Sequence, residues 1–268
     1  MTEIVRRGYN PKDEFEFGKE YYRTLKKASE ELIYLINRGY DIKSTSTFIG
    51  NHYMLSERQR LALTRILSTT KQLNIRREKE ITVSDRDIEG IENEINDIDK
   101  KYSKNSKYKF HDCLGNPHIM DCLHIDGFNT IITLEVALSG SLILKGLDGT
   151  YRDLAGLRGT YRIVDKTIIA VDILFQTIRE IGIPELHFYL DKPVSNSGRL
   201  KTLLYDLSQN YPIQVNVDVI NDVDRVLEQK NKVVSSDGII LDRSKSWFNL
   251  NHYIVEKMEP KPWIFALF

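Results

Sequence analysis

Between residues 18 and 75 the apolar side chains recur at helical rather than alternating spacing. Tyr21, Leu25, Ala28, Leu32, Leu35 and Ile36 fall three and four residues apart, which places them on one face of a helix. That helix should end at Arg38-Gly39-Tyr40, where glycine can adopt the left-handed conformation that closes a helix C-terminus. A second, short helix is expected from Ser44 to Phe48 and beyond. The third has a clear start: Ser56-Glu57-Arg58-Gln59 is a capping box ahead of Leu61, Leu63, Ile66 and Leu67, with serine hydroxyl and glutamine side chain each answering a free backbone N–H.

From Arg76 to Lys109 the chain turns polar, with charges of both signs. Ile88, Ile91, Ile95 and Ile98 keep a three-four spacing after Ser84, predicting an amphipathic connecting helix, and residues 100–109 read as linker. From Cys122 onward short apolar runs alternate with helical stretches. Strands are expected at 121–125, 186–190, 213–220 and 232–236, and helices at 129–138, 164–181, 197–209 and 222–230. Residues 141–146 and 150–153 suggest a hairpin about Asp148-Gly149. Such alternation predicts an α/β fold, a mostly parallel sheet with helices on both faces, preceded by an α-helical N-terminal module. The expected division is a helical module at 1–75, a charged connecting helix and linker at 76–118, and an α/β domain at 119–268.

The 268 residues carry 38 Lys plus Arg and 38 Asp plus Glu, so net charge is zero. The distribution is uneven, because basic residues outnumber acidic ones from Lys19 to Arg77. Arg58, Arg65 and Arg76 with Tyr53 are candidates for tracking a phosphate backbone, the alternative being a solvated helix face. Cys113 and Cys122 are the two cysteines, too few for a disulfide scaffold and suited to a reducing compartment. The first residues lack the apolar core of a signal peptide, and no run reaches the roughly 18 to 20 apolar residues of a membrane span. A cytoplasmic protein with no membrane partner is the expectation; a homodimer is an allowed assembly.

The candidate chemistry lies at the strand ends. Asp126 follows Cys122-Leu123-His124-Ile125, Asp191 closes Leu186 to Leu190, Asp222 and Asp224 follow Val215 to Ile220, and Asp237 follows Val233-Val234-Ser235-Ser236. Carboxylates at the C-terminal ends of parallel strands converge on one crevice. At about 4 Å a like-charged pair costs about 4 kcal/mol at an effective dielectric of about 20, so a cation must compensate them. Oxygen ligands with few imidazoles favour Mg²⁺ or Mn²⁺, and with two such ions the natural reaction is phosphodiester hydrolysis. For any one aspartate, the ordinary alternative is a helix N-cap.

Asp126-Gly127-Phe128-Asn129, Tyr189-Leu190-Asp191, Asp224 opening a helix and Ser235-Ser236-Asp237 together resemble the PIN-like nucleases, particularly their NYN branch, over roughly residues 120–245. The resemblance implies a Mg²⁺- or Mn²⁺-dependent endoribonuclease acting on RNA, or on DNA as in the flap endonuclease relatives. It implies Asp126 as central metal ligand and Asn129 as the group that orients it or the scissile phosphate. Asp191 and Asp237 would complete the first metal shell, Asp224 or Asp222 would hold a second ion or a metal-bound water, and Asp242 would be an extra ligand. Glu135 would sit one or two helical turns away. The hairpin at about 141–160 departs from the pattern. The whole chain also resembles an uncharacterised prokaryotic domain-of-unknown-function family of the 434 type, through Asn37-Arg38-Gly39-Tyr40, Gly50-Asn51-His52-Tyr53, Gln59-Arg60 and Arg65 in front and Pro193 to Gly198 behind.

Other motifs admit two readings each. Ser195 and Ser197, in Ser195-Asn196-Ser197-Gly198, could help present backbone N–H groups to a phosphate or simply cap a helix. Arg158 and Arg162 could track a nucleic-acid backbone or lie in a solvated loop, and Ser236 is a further candidate contact. His111, Cys113, His118, Cys122 and His124 invite zinc, but their spacing matches no common ligand pattern. The rival function is a non-catalytic RNA-binding or regulatory protein on the same fold. A toprim-like phosphotransfer domain expects a glutamate where the chain has Asp126, and a phospho-aspartate phosphatase expects Asp-x-Asp there.

Overall fold

The helical spacing of the N-terminal region folds as its pattern predicts. The computed structural model describes residues 6–85, 108–156 and 159–268. The first stretch forms α1 (Asp13–Glu16), α2 (Lys19–Asn37), α3 (Ile42–His52), α4 (Glu57–Ile66) and α5 (Thr70–Lys79). Leu25, Ala28, Leu32 and Ile36 of α2 are all buried. Past its end Gly39 takes φ +89°, and its N–H reaches the Ile36 carbonyl at 3.0 Å. Helix α3 starts before Ser44 because Asp41 caps it, accepting from the Ser44 N–H at 2.9 Å. Both bonds of the Ser56/Gln59 capping box are present.

The division into modules is not linear. One compact unit comprises Met1–Arg77, Ile132–Leu157 and Asn251–Phe268, the other Glu78–Ile131 and Arg158–Leu250. In the first unit the helices bury their apolar faces in one cluster with Leu142, Leu144, Leu154, Phe265 and Leu267. Those residues belong to or flank a small sheet in which β4 (Ile143–Lys145) pairs antiparallel with β5 (Tyr151–Asp153) and parallel with β10 (Ile264–Phe265). The expected 119–268 domain therefore loses its hairpin and its C-terminal segment to the helical core, because an amphipathic bundle must cover its exposed stripe. Within this unit Glu135 is fully buried and paired with Arg7 at 2.8 Å, so its carboxylate is committed there.

The second unit is a seven-stranded sheet of order β2-β1-β9-β8-β3-β6-β7. Its strands are β1 (Glu80–Asp85), β2 (Tyr108–His111), β3 (Cys122–Asp126), β6 (Glu185–Asp191), β7 (Gln214–Ile220), β8 (Val233–Val234) and β9 (Trp247–Phe248). Every neighbouring pair is parallel except the β1–β2 edge. That edge corrects the reading of 76–118 as connecting helix and linker. Ile81-Thr82-Val83-Ser84 alternates apolar and polar, the signature of a strand, and Val83 pairs with Phe110. The helix predicted over Ile88 to Ile98 lies outside the described residues.

Helices α6 (Gly127–Leu138), α7 (Asp165–Ile181), α8 (Ser197–Ser208), α9 (Val223–Leu227), α10 (Gly238–Arg243) and α11 (Leu250–Lys257) complete the order. Phe188 and Tyr189 are adjacent on β6 and so point to opposite faces. Phe175 of α7 meets Phe188 edge-on at 6.2 Å, while Val223 and Leu227 of α9 and Ile240 and Leu241 of α10 cluster with Tyr189, Val233 and Trp247. Helices thus pack on both faces.

The β4–β5 turn concentrates buried charge in the first unit. Gly149 adopts φ +76°, as the Asp148-Gly149 turn reading requires. The Asp148 carboxylate is 1% exposed and pairs with Arg76 at 2.5 Å and Arg152 at 2.6 Å. It also accepts from the Thr150 hydroxyl at 2.8 Å. The two guanidiniums overcome the cost of burial and hold this carboxyl down at about 2. Replacing it by an amide leaves two buried cations without their counter-ion, a change that costs roughly 3 kcal/mol or more. Urea unfolding of Asp148→Asn should show that loss; a change below about 1 kcal/mol would mean the network is solvated.

Candidate functional site

The strand order identifies the crevice before any side chain is considered. The chain runs from β3 outward to β6 and β7, then returns to β8 on the other side of β3. The crevice outside the carboxyl ends of β3 and β8 is the topological switch point, where open α/β sheets bind ligands. Asp126 ends β3, and Ser235-Ser236-Asp237 follows β8.

Two side-chain links clasp these strand ends. The Ser235 hydroxyl donates to Asp126 Oδ2 at 2.8 Å. Asn129 Oδ1 accepts from the Ser236 N–H at 2.8 Å and its hydroxyl at 2.9 Å. The Asn129 N–H itself approaches Asp126 Oδ1 at 3.4 Å. Asn129 therefore acts as a strut between the start of α6 and the β8 loop. Gly127 is required by close packing: a Cβ there would lie 2.5 Å from Leu190 Cδ2 and 3.1 Å from the Tyr189 carbonyl.

Asp126 is 6% exposed. Burial, followed in effect by the negative charges of Asp224 and Asp237, pushes its carboxyl up to about 7 despite the hydrogen bonds from Ser235 and Asn129. Asp224 lies at the solvent boundary on α9, and its pKa is raised by partial burial, then by Asp237, Asp191 and Asp222. Asp191 is raised by burial and by Asp222, with the Val223 N–H opposing the shift. The structure thus gathers Asp126, Asp224 and Asp237 into one electrostatic neighbourhood and joins Asp191 to it through Asp224. Asp222 is the cap of α9, accepting from the Arg225 N–H at 3.1 Å. Asp237 likewise caps α10 through Oδ1, at 2.7 Å from the Ile239 N–H and 3.2 Å from that of Ile240. The capping reading therefore holds for both Asp222 and Asp237. Asp242 is not among the principal charges acting on the other carboxylates, and its backbone carbonyl accepts from Lys79 at 2.7 Å.

The donors are all hard oxygens, as Mg²⁺ or Mn²⁺ requires. Among the described residues, however, no group of three or more His, Cys, Asp or Glu side chains is placed to hold a metal ion. Mg²⁺ is commonly held by one or two carboxylates plus waters and substrate phosphate, so the donor set fits an ion bound in that manner. The zinc candidates do not converge. His111 bonds to Thr82 at 3.0 Å, Cys113 is exposed, and burial pushes the Cys122 thiol up to about 11. His124 instead bonds the Tyr189 hydroxyl at 3.1 Å, and burial keeps it neutral, with a pKa lowered to about 4.

The nucleic-acid candidates divide. Arg158 lies outside the described residues. The Ser195 hydroxyl accepts from the Tyr161 N–H at 2.8 Å and donates to its carbonyl at 3.0 Å, so it fastens one loop to another. Ser236 is occupied by Asn129. Arg162 is exposed and Ser197 is buried at the start of α8. Sequence reasoning missed Ser235 as Asp126's partner and Arg199, which shares a cavity with Arg162, Ile163 and Asn196. The serine directly after β8 was the available signal for the first.

A carboxyl with a raised folded-state pKa holds its proton more tightly than the unfolded chain. Its effect on stability is therefore most favourable below about 4 and deteriorates as pH rises to about 7. Removing the ionisable group should cancel that deterioration, on the order of a few kcal/mol at pH 8. In chelator, the thermal midpoint of Asp126→Asn relative to wild type should rise between pH 5 and pH 8. A pH-independent difference would contradict the raised pKa.

Two family descriptions match the chain: "Domain of unknown function (DUF5616)" over residues 118–253 and "Protein of unknown function (DUF434)" over residues 24–79. An uncharacterized protein of Methanocaldococcus jannaschii is 30% identical over 218 residues, covering 81% of this chain and 89% of that protein. No solved structure matches significantly. The first match spans the crevice, including Asp126, Asn129, Asp191, Asp224 and Asp237, and the second spans most of the N-terminal helices. The chain belongs to this family of unknown function, with a DUF434 segment in front and a DUF5616 segment behind.

Proposed function

We propose that the protein is a divalent-metal-dependent nuclease that hydrolyses phosphodiester bonds in RNA, using the crevice at the ends of β3 and β8. The observation that carries this reading is Asp126: a carboxyl buried at the switch point, next to two further carboxylates, with a pKa pushed up to about 7. Such a group is costly in a structural role, since among the described residues neither lysine nor arginine is one of the principal groups acting on it. Perturbed carboxyls at a strand-end crevice are functional-site candidates.

Asp126 and Asp224 would hold Mg²⁺ or Mn²⁺, with waters and a substrate phosphate completing the set and Asp237 adding negative charge beside them. A bound ion would polarise the phosphate and lower the pKa of a water. Ser235 orients Asp126, Asn129 fixes the β8 loop against α6, and Asp191, coupled to Asp224, is the carboxylate available to take a proton. The order of these aspartates resembles the PIN-like fold of the NYN branch, which supports RNA as substrate.

A second reading, RNA binding without cleavage, is favoured because no group of three or more ligating side chains among the described residues is placed to hold a metal ion. One assay separates the two. Purified protein with Mn²⁺ should cut single-stranded or structured RNA, chelator should abolish cutting, and Asp126→Asn should lower the rate by at least about 100-fold while retaining RNA binding. Because the ion must displace a proton from Asp126, activity should rise with pH through about 7. Wild-type protein that binds RNA but yields no metal-dependent product selects the second reading.

A further inference from the structure

A cavity of about 350 Å³ is lined by Arg162, Ile163, Asn196 and Arg199. Two of these four residues are arginines, and none is acidic. The Arg199 guanidinium makes no ion pair or hydrogen bond among the described residues, while both arginines are exposed. Such pairs suit phosphate, which accepts from the guanidinium fork.

The cavity's walls are held in place. The Ser195 N–H donates to the Gly159 carbonyl at 3.1 Å, and Asn196 Nδ2 donates to the Tyr161 carbonyl at 2.6 Å, in addition to the Ser195–Tyr161 bonds. Asn196 has φ +63° and leaves the start of α8 without a side-chain cap. Ser197, the first residue of that twelve-residue helix, is 8% exposed, and its hydroxyl has no hydrogen-bond partner among the described residues. Free N–H groups at a helix start add to the positive potential. The loop that walls the cavity packs on the helix that follows Asp126, Tyr161 meeting Phe128 of α6 edge-on at 5.1 Å, and the segment carrying Asn196 follows Asp191 at the carboxyl end of β6.

We infer that this cavity is a phosphate-binding subsite that holds a nucleic-acid phosphate away from the bond to be cut, with Arg199 and Arg162 as its anchoring residues. The identity of the ligand rests on the nuclease reading above. The subsite would fix the register of the strand, while the carboxylates do the chemistry.

The test uses the full chain and a fluorescein-labelled RNA decamer in EDTA, so that binding is measured apart from cleavage. Arg199→Gln and Arg162→Gln should each weaken binding roughly tenfold and lower the slope of log affinity against log salt by about 0.7. Neither should alter the thermal midpoint or its change on adding Mn²⁺. A decamer with a 5′-hydroxyl and one with a 5′-phosphate distinguish the source: loss with both identifies an internal phosphodiester, loss with the phosphorylated one alone a terminal phosphate. Affinity and salt slope unchanged in both variants overturn the subsite. RNA cut with Mn²⁺ but bound indifferently to Arg199 sinks the subsite and leaves the nuclease; arginine-dependent binding without cutting does the reverse.

Discussion

The burial of one carboxyl, Asp126, against the end of the central parallel strand is the constraint on which the α/β unit turns. A carboxylate there must be hydrogen-bonded, protonated or compensated by a cation. The chain supplies hydrogen bonds in part, from Ser235 and the Asn129 N–H, and then adds negative charge from Asp224 and Asp237 that works against them. The same residues join β3 to β8 across the point where strand order reverses. The clasp that shapes the crevice is therefore also the shell of its most perturbed group. Gly127 belongs to this arrangement, because any side chain at the start of α6 would strike β6.

The sheet around the crevice is unevenly covered, which explains how polar groups gather on one face. Leu123, Ile125, Leu186 and Phe188 are buried, as parallel strands usually are. On the opposite face His124, Glu185 and His187 are only partly buried, and Asp218 is exposed. Short α9 and α10 cover that face where Tyr189, Val233 and Trp247 pack, leaving the other end of the strands with Tyr189 stacked on His187 at 4.5 Å. The carboxylates lie at the border between the covered and open parts. There they are dry enough for their charges to be felt and open enough to meet a ligand.

Much of this was legible because it rests on local chemistry. The Ser56/Gln59 capping box, the glycine after α2, the Asp148-Gly149 turn and the aspartates at strand ends are each set by a few neighbouring residues. What escaped depends on distant partners. The stripe of α2 announces that it must be covered but not that Leu144 and Phe265 cover it. Ile81-Thr82-Val83-Ser84 carried a strand signal, yet the surrounding charge obscured it, and its pairing with β9 follows from tertiary packing. At the site, order along the chain brought out the aspartates but ranked them differently: Asp224 acts on Asp126 directly, whereas Asp191 reaches it through Asp224. The bonds by which the Ser195 and Ser236 hydroxyls fasten their loops to Tyr161 and Asn129 likewise depend on partners distant in the chain.

The ionisation of Asp126 decides whether the crevice can take up a metal ion at neutral pH. A pH titration of its carboxyl carbon by NMR, with and without Mg²⁺, measures that directly. The midpoint should lie near 7 in chelator and move to lower pH when Mg²⁺ is added, because the ion competes with the proton. A midpoint in the ordinary carboxylate range near 4, or one that Mg²⁺ leaves unmoved, would mean that Asp126 is not the metal-binding carboxyl of the crevice.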